Sequence, residues 1–502
     1  MKYLFVFVFL FFYILPFSAR VKPDSVVVFN YFDEIKNDES LLNQFFMYMP
    51  KGGDLHNHLT GSIYAETYFD LAVKDRLWLD VDAGKLYPTQ ESALKSAVVN
   101  PIQLDSSMHN LSKIRGALLE KWSVRNYDVS EPLMKASNRF FNAFDLFLAP
   151  AFSHMVELLH ELKYRAFCEN IQYLEIMAMS PRIGMSEIDH IFGKGSYSRD
   201  NLILQKVALG DEAESNAALQ SIFDKWEKNA FMEKMVKQYV CLMDSIDLNS
   251  SLEDCPDPPV CLYQSYAVRN ADPLRVFAQL YLSFKACVDP SNTRFVGVNI
   301  ISPENGVISM KYYQLHMRMF RFLRDKISSK VKLSIHAGEL TVGLVKPEEL
   351  GSHIREAVEI AGADRIGHGA DIVFERESVS LIDEMRRQQI AVEINISSNE
   401  AVLGLKKNNH PFPIYYRAGV PLVISTDDAG VLRTNLAEQY TLLELRYKLS
   451  YYVIKKLVRS TIVYSFAPNG IKRKLLKRLD KDFTEFEAHW VQNIAIMKKW
   501  KS

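Results

Sequence analysis

Short apolar runs alternate with amphipathic stretches along most of this chain, and the alternation predicts strands and helices in turn. The runs 295–301 and 332–337 are mostly apolar, which is typical of strands buried on both faces. The stretch between them carries apolar residues at helical spacing. Eight strands are predicted, at 53–58, 171–177, 260–268, 295–301, 332–337, 365–368, 390–396 and 421–426. Because strands that alternate with helices form a parallel sheet, the fold class is α/β and the strand count predicts a (β/α)₈ TIM barrel.

The barrel is predicted to occupy residues 51–502, and two of its connections are long. Helical insertions are expected at about 62–135 and 178–259, where amphipathic patches continue without a flanking linker. Residues 20–50 carry apolar positions on one helical face. We therefore expect an N-terminal helical extension that packs on the outside of the barrel.

Residues 1–19 have the layout of a secretory signal peptide. One lysine is followed by a nearly uninterrupted apolar run and then by small residues. We expect cleavage after Ala19 and an exported protein, whether periplasmic, secreted or lumenal. An uncleaved membrane anchor is the alternative, although the run is short for a membrane span.

The overall charge and the cysteines restrict the class of protein. The 502 residues include 60 basic and 60 acidic side chains, and this balance argues against nucleic acid or a membrane surface as partner of the mature chain. Five cysteines in an exported chain leave at least one thiol free. Cys255 and Cys261 flank a proline-rich loop, where a small disulfide is one option. None of the five has the CxxC spacing of a cysteine zinc site.

Residues that can bind a metal or move protons lie where predicted strands end. His56 and His58 alternate along the first strand, so their side chains share one face. His336 and Glu339 stand at the end of a later strand, in the motif HAGE. The other strand-end candidates are Ser302, Glu304, His368, Asp427 and Asp428. Because the C-terminal strand ends of a (β/α)₈ barrel meet at one face, we expect a single site there.

Three neutral imidazoles and one carboxylate suit Zn²⁺ and leave room for a water, whose pKa the metal lowers toward ~7. Glu339 and His368 are the candidates for moving protons and for holding the resulting hydroxide. Each motif also has a purely structural interpretation, such as solvent-facing histidines on an edge strand or a helix N-cap at 427–428. Their coincidence at five strand ends favours one metal site.

Seven motifs together resemble the metal-dependent adenosine deaminase family. They are KGGDLHNHLTGS, YLEIMAMSP, VGVNIISPEN, SIHAGE, DRIGHG, EINISSNE and VISTDDAG, and they extend from residue 51 to about 430. The predicted export resembles the secreted, growth-factor-type branch of that family. The resemblance implies a zinc barrel of the amidohydrolase type with one Zn²⁺ per chain. It implies hydrolysis of adenosine, and of 2′-deoxyadenosine, to the inosine product and ammonia by hydroxide attack on purine C6.

The resemblance also implies a role for each site residue. His56, His58, His336 and Asp427 would be the zinc ligands. Glu339 would protonate purine N1, His368 would position the hydroxide and Asp428 would bond to N7. Ser302 and Glu304 are the further substrate-binding residues, and Ser302 stands where the family commonly has a glycine near N3. Thr60 and Met177 depart from an aspartate and an arginine at the ribose end.

Two other functions stay open at this point. One is an adenine deaminase or another amidohydrolase, because the ribose end departs from the family pattern. The other is a non-catalytic extracellular binding or signalling protein, which the intact ligands, Glu339 and His368 argue against. The expected partner is a small purine nucleoside. The branch often has a long N-terminal dimerisation segment, which residues 20–50 match only in part, so a homodimer is left open.

Overall fold

The computed structural model describes residues 23–124 and 132–500, and the predicted leader lies outside them. Eight strands form one parallel sheet in the order of the chain. They are β1 (Gly52–His58), β2 (Ile171–Met177), β3 (Val260–Val268), β4 (Phe295–Ile301), β5 (Lys332–Ala337), β6 (Arg365–His368), β7 (Ala391–Ile394) and β8 (Leu422–Ile424). All seven residues of β2 and all four of β6 are buried, as expected for strands covered on both faces.

The sheet closes on itself where the end of β1 meets the segment after β8. Asn57 and Asp427 form a parallel bridge. Asp427 N donates to the His56 carbonyl at 2.8 Å, and His58 N donates to the Asp427 carbonyl at 3.4 Å. The predicted (β/α)₈ barrel is therefore confirmed, and its closing contacts lie among the predicted site residues.

Two predicted strands are shorter than expected, and one of them, 421–426, is a strand only over Leu422–Ile424. The run 390–396 forms a strand only to Ile394, and Ile396–Leu403 is a helix. Asn399 N donates to the Asn395 carbonyl at 2.9 Å, which closes the first turn of this helix. Asn399 therefore lies on a helix above the strand ends and not on the strand.

Helices cover the barrel and fill the two long connections. Between β1 and β2 lie Leu59–Ser62, Ala65–Lys74, Gln90–Lys95, Leu111–Lys121, Leu133–Phe147 and Met155–Cys168, with a small antiparallel sheet of Trp78–Asp80, Lys85–Tyr87 and Ile102–Gln103. Between β2 and β3 lie Met185–Phe192, Ser196–Val207, Glu212–Glu227 and Ala230–Asn249. The later helices are Pro273–Val288, Val307–Lys326, His353–Glu356, Ser378–Gln388, Ile396–Leu403, Phe412–Ala418, Ala429–Leu432, Leu436–Tyr447, Tyr451–Val463 and Asn469–Trp500.

The N-terminal extension consists of two helices, Pro23–Ile35 and Glu39–Tyr48, where the sequence pattern predicts one. Asp38 separates them because its side chain accepts the Leu41 N–H at 3.0 Å and so caps the second helix. The aromatic residues of both helices contact the C-terminal helices, as in the pairs Phe32–Tyr451, Phe45–Phe486 and Phe45–Trp490. The first and last helices of the described chain thus pack together on the barrel.

All five cysteines are free thiols in the structure, so Cys255 and Cys261 are not bridged. Cys261 is buried at the start of β3, and burial raises the pKa of its thiol to about 12. Across 23–124 and 132–500, no helix is long and apolar enough to cross a membrane.

Candidate active site

Three histidines and one aspartate meet at the C-terminal end of the barrel. His56 and His58 come from β1, His336 from β5, and Asp427 follows β8. The His58 and His336 Nε2 atoms are 3.3 Å apart. Asp427 Oδ1 lies 3.5 Å from His56 Nε2 and 3.4 Å from His58 Nε2. The structure therefore brings the four predicted ligands together, with ring nitrogens and a carboxylate oxygen converging on one point.

The converging atoms are better suited to binding a divalent metal than to hydrogen bonding with one another. Nitrogens of three histidines approach within 4.8 Å, and the buried His56 Nε2 has no hydrogen-bond partner in the described part of the chain. Burial lowers the pKa of His58 to about 4, and burial with the neighbouring histidines holds the pKa of His336 well below its usual value. Although burial opposes protonation, Asp427 and Glu393 raise the pKa of His56 to about 10, so a bound divalent metal would replace the proton on its Nε2. Three imidazoles and one carboxylate form a donor set that suits Zn²⁺.

Two buried polar residues in other strands, Glu393 in β7 and Asn299 in β4, orient the histidine ligands. His56 Nδ1 donates to Glu393 Oε2 at 2.6 Å, and Arg365 Nε donates to Glu393 Oε1 at 2.5 Å. Although burial opposes ionisation, Arg365 and His56 lower the pKa of Glu393 to about 2. Glu393 is therefore an ionised carboxylate that accepts both hydrogen bonds. His336 Nδ1 lies 2.9 Å from Asn299 Oδ1. Protons on both Nδ1 atoms leave both Nε2 atoms free to bind metal.

Glu393 and Asn299 belong to the site, although neither was predicted from the sequence to lie there. The available signal was a single polar residue inside each of two apolar strands, AVEI and VGVNII. A fully buried polar side chain needs a partner, and that requirement could have marked both positions.

Left-handed backbone at non-glycine residues turns side chains into the site. Ser302, His368 and Asp427 have φ values of 90°, 67° and 62°. Such conformations are costly for these residue types and persist where surrounding contacts hold them. The turn at Asp427 explains how the adjacent Asp428 also reaches the barrel mouth, which a regular strand would prevent.

Glu339, His368 and Asp428 surround the cluster. His368 Nε2 lies 3.7 Å from Glu339 Oε1 and 3.9 Å from Asp427 Oδ2. Burial, with the charges of Asp427 and Glu304, raises the pKa of Glu339 well above its usual value. Burial and the adjacent Asp427 do the same to the pKa of Asp428. Both carboxyl groups can therefore carry a proton and donate it to a ligand nitrogen.

Glu304 lies behind this site and does not line its cavity. Its Oε1 accepts the Gly338 N–H at 3.0 Å and its Oε2 accepts the Glu339 N–H at 2.8 Å. His353 Nδ1 donates to Oε1 at 2.6 Å, and Arg269 Nη1 lies 3.6 Å from Oε2. The observed contacts of Glu304 are thus with the protein's own backbone, His353 and Arg269, and its contact with substrate stays a prediction.

A cavity of about 1540 Å³ opens above the cluster. His58, His336, Glu339, His368, Asp427 and Asp428 form its floor, and Thr60, Met177 and Ser302 line it too. Phe140, Phe141 and Phe144 on helix Leu133–Phe147 form one wall. The structure thus places these aromatics at the cavity. A space of this size can enclose a small organic ligand.

Fold and site together define a (β/α)₈ barrel with a metal-binding donor set at the C-terminal ends of its strands. Residues 285–482 match the family model described as adenosine deaminase. The adenosine deaminase of Clostridium acetobutylicum is 30% identical over 168 residues, which are 33% of this chain and 46% of that protein. The N6-methyl-AMP deaminase of Danio rerio is 35% identical over 133 residues, 26% of this chain and 36% of that protein. The chain thus spans less than half the length of these curated relatives.

Solved structures extend the likeness in fold to most of the barrel. The N6-mAMP deaminase of Arabidopsis superposes with a TM-score of 0.55 at 19% identity, covering 87% of this chain and 99% of that one. The Arabidopsis ADAL protein complexed with IMP gives 0.54 at 18% identity, covering 89% and 99%. At these identities the likeness concerns the fold alone. The sequence matches connect the C-terminal part of the barrel, which carries HAGE, RIGHG and STDDAG, with the adenosine deaminase family.

Proposed function

We propose that this protein is a zinc-dependent member of the adenosine deaminase family that deaminates adenosine and 2′-deoxyadenosine by hydrolysis. The products are inosine or 2′-deoxyinosine and ammonia. The single observation that carries the proposal is the convergence of His56, His58, His336 and Asp427 beside Glu339 and His368 at one cavity. A scaffold kept only for binding would not require both a complete donor set and a buried proton donor.

Each group has a task in this reaction. The three histidines and Asp427 would hold one Zn²⁺, which when bound acts as a Lewis acid and lowers the pKa of a water toward ~7. The protonated Glu339 donates its proton to purine N1, which draws electrons from C6 and favours attack there. Asp428 donates to N7 and orients the ring. The water oxygen adds at C6, and one water proton returns to Glu339. The second proton passes to the amino group, so the C6–N bond breaks, ammonia leaves and the C6 carbonyl forms.

A second candidate substrate is a 6-aminopurine nucleoside 5′-monophosphate. Arg182 and Arg275 line the same cavity, and guanidinium groups are well suited to phosphate. The likeness to an N6-methyl-AMP deaminase supports the same candidate. Because C6 and N9 are on opposite sides of a purine, a base with C6 at the cluster directs its ribose away from the cluster.

The test is a substrate panel with the mature protein, from residue 20 onward. Adenosine, 2′-deoxyadenosine, adenine, AMP and N6-methyl-AMP are assayed for release of ammonia or methylamine, each with and without a chelator. We expect nucleoside turnover that ends on chelation and returns with Zn²⁺, and one Zn²⁺ per chain by elemental analysis. Turnover of AMP or N6-methyl-AMP alone, lowered in Arg182→Ala or Arg275→Ala, would favour the nucleotide. Turnover of adenine alone would favour an adenine deaminase. No turnover of any of these substrates by the zinc-bound protein would reject all three activities.

Gly61 offers a test of the role of Asp428. A Cβ at position 61 would lie 1.6 Å from Asp428 Oδ1, so Gly61→Ala must displace that carboxyl. Misplacement of a substrate-orienting group by about 1 Å can cost ~10²-fold, and we expect a loss of that order in kcat/KM. The matched control is Gly116→Ala, because a Cβ there meets nothing within 4 Å. Equal activity of the two variants would contradict the role of Asp428.

Export and the secreted, growth-factor-type branch are also part of the proposal. Their support is the leader-like pattern of residues 1–19, together with the helical extension that follows it. Mass spectrometry of the protein recovered outside the cytoplasm should give a chain beginning at Arg20. A chain that retains Met1 would contradict cleavage, and light scattering of the mature protein would decide whether it forms a homodimer.

A further inference from the structure

A series of buried hydrogen bonds leads from a backbone amide to His368, and the direction of each bond can be determined. The series begins at Phe412, whose N–H donates to His410 Nδ1 at 3.1 Å. A backbone N–H only donates, so Nδ1 must accept. Burial, with the charge of Arg446, also lowers the pKa of His410 to about 3, which agrees with a neutral ring. Its one ring proton is therefore on Nε2.

That proton sets the orientation of the next side chain. His410 Nε2 is 3.0 Å from Asn399 Oδ1 and donates to it. The amide nitrogen of Asn399 then faces His368, and Nδ2 donates to His368 Nδ1 at 3.0 Å. Asn395 Nδ2 lies 3.5 Å from the same nitrogen. Two amide donors thus face His368 Nδ1, which leaves the proton of the neutral imidazole on Nε2.

His368 Nε2 is the ring atom that faces the reaction cavity. It lies 3.7 Å from Glu339 Oε1 and 3.9 Å from Asp427 Oδ2. Asn399 and His410 are buried and are not among the residues that line the cavity. The left-handed backbone of His368 adds to the need for side-chain contacts that hold the ring in place.

We propose that Asn399 and His410 are positioning residues that fix the tautomer and orientation of His368, so that an Nε2–H donor faces the reaction cavity. The use of that donor, to hold the oxygen of the attacking water, rests on the proposed function. The tautomer rests only on the hydrogen bonds. Neither residue touches the substrate, and both act through His368.

Asn399→Asp reverses the polarity of the series with little change of shape. A carboxylate only accepts, so it would take the proton of His368 on Nδ1 and leave Nε2 as a lone pair. We expect kcat to fall by about 10²-fold, the lower range for a positioned proton donor, with KM within a few-fold and the zinc content unchanged. His410→Gln keeps an N–H near the position of Nε2 and should retain most of kcat, whereas His410→Leu should lose it.

The spectroscopic test needs no turnover. In ¹⁵N-histidine NMR of the zinc-loaded protein, the signals of His368 are assigned by their loss in His368→Gln. We expect the proton on Nε2 in the wild type and on Nδ1 in Asn399→Asp. The matched control is Asn201→Asp, because buried Asn201 accepts the Leu274 N–H at 3.1 Å through its oxygen and lies apart from the cavity. This control should change neither kcat nor the tautomer.

The outcomes separate this inference from the proposed function. A wild-type His368 protonated on Nδ1 would overturn the inference whatever the substrate. Wild-type kcat in Asn399→Asp would overturn the positioning role. A wild-type protein that is inactive on every purine, yet carries the proton on Nε2, would reject the proposed function and leave the assignment of the tautomer supported.

Discussion

Glu339→Gln is expected to lower kcat by 10²- to 10⁴-fold, the usual range for a positioned acid or base. Glutamine has nearly the same shape but no proton of comparable acidity to give to purine N1. The side chain of Glu339 is buried in the cavity floor, and its pKa is raised well above the usual value by burial and by Asp427. A carboxyl group kept protonated in this way serves as an acid. The measurement is steady-state turnover of the substrate that the panel identifies.

The metal content separates loss of the acid from loss of the site. Glu339 is not among the converging donors, so Glu339→Gln should retain one Zn²⁺ per chain. Asp427→Asn is the contrasting variant, because it alters a predicted ligand and should lower zinc content and kcat together. Near-normal turnover in zinc-loaded Glu339→Gln would rule out the proposed acid.

Glu304→Gln is expected to destabilise the protein by about 3–5 kcal/mol, as when one partner of a buried charge pair is removed. Glu304 accepts two backbone N–H groups in the HAGE turn and pairs with His353 and Arg269. A glutamine amide would direct an N–H toward another N–H and leave Arg269 without its counter-charge. Chemical denaturation of the zinc-loaded protein measures the loss.

This variant should also lower kcat more than its stability loss explains, because Glu304 holds the backbone of Glu339. Glu375→Gln is the matched control. Glu375 Oε1 accepts the Ile354 N–H at 2.6 Å and the Arg355 N–H at 3.3 Å, and Glu375 is not among the residues that line the cavity. We expect Glu375→Gln to lose stability and retain kcat. If the two variants keep the same kcat under folding conditions, Glu304 does not position Glu339.

The alternation of strands and helices and the residues at the strand ends could be predicted from the sequence, because both are local properties. A strand buried on both faces is apolar along its length, and a helix shows its 3.6-residue period within a few turns. Once eight such strands are counted, barrel geometry places all their C-terminal ends at one face. His56, His336 and Asp427 could therefore be predicted to meet, although they are far apart in the chain.

The residues that hold the site side chains in place could not be predicted from the sequence, because their partners lie in distant segments. Glu393 reaches His56 across 337 positions, and Glu304 reaches Glu339 across 35. No local pattern indicates which buried polar side chain contacts which ligand. The predicted strand 390–396 ends early, so Asn399 lies on the helix that follows it, and only that position brings its amide to His368.

By itself, the sequence determined the barrel, its α/β class and the set of residues at the strand ends, since periodicity and spacing are encoded residue by residue. Tertiary structure alone decided how those residues are held. The left-handed turns at His368 and Asp427, the carboxylate of Glu304 under the HAGE turn, and the donor direction through His410 and Asn399 each depend on contacts between separate elements. The physical reason is that a hydrogen bond requires both partners within about 3 Å, and only the closed barrel brings these pairs together.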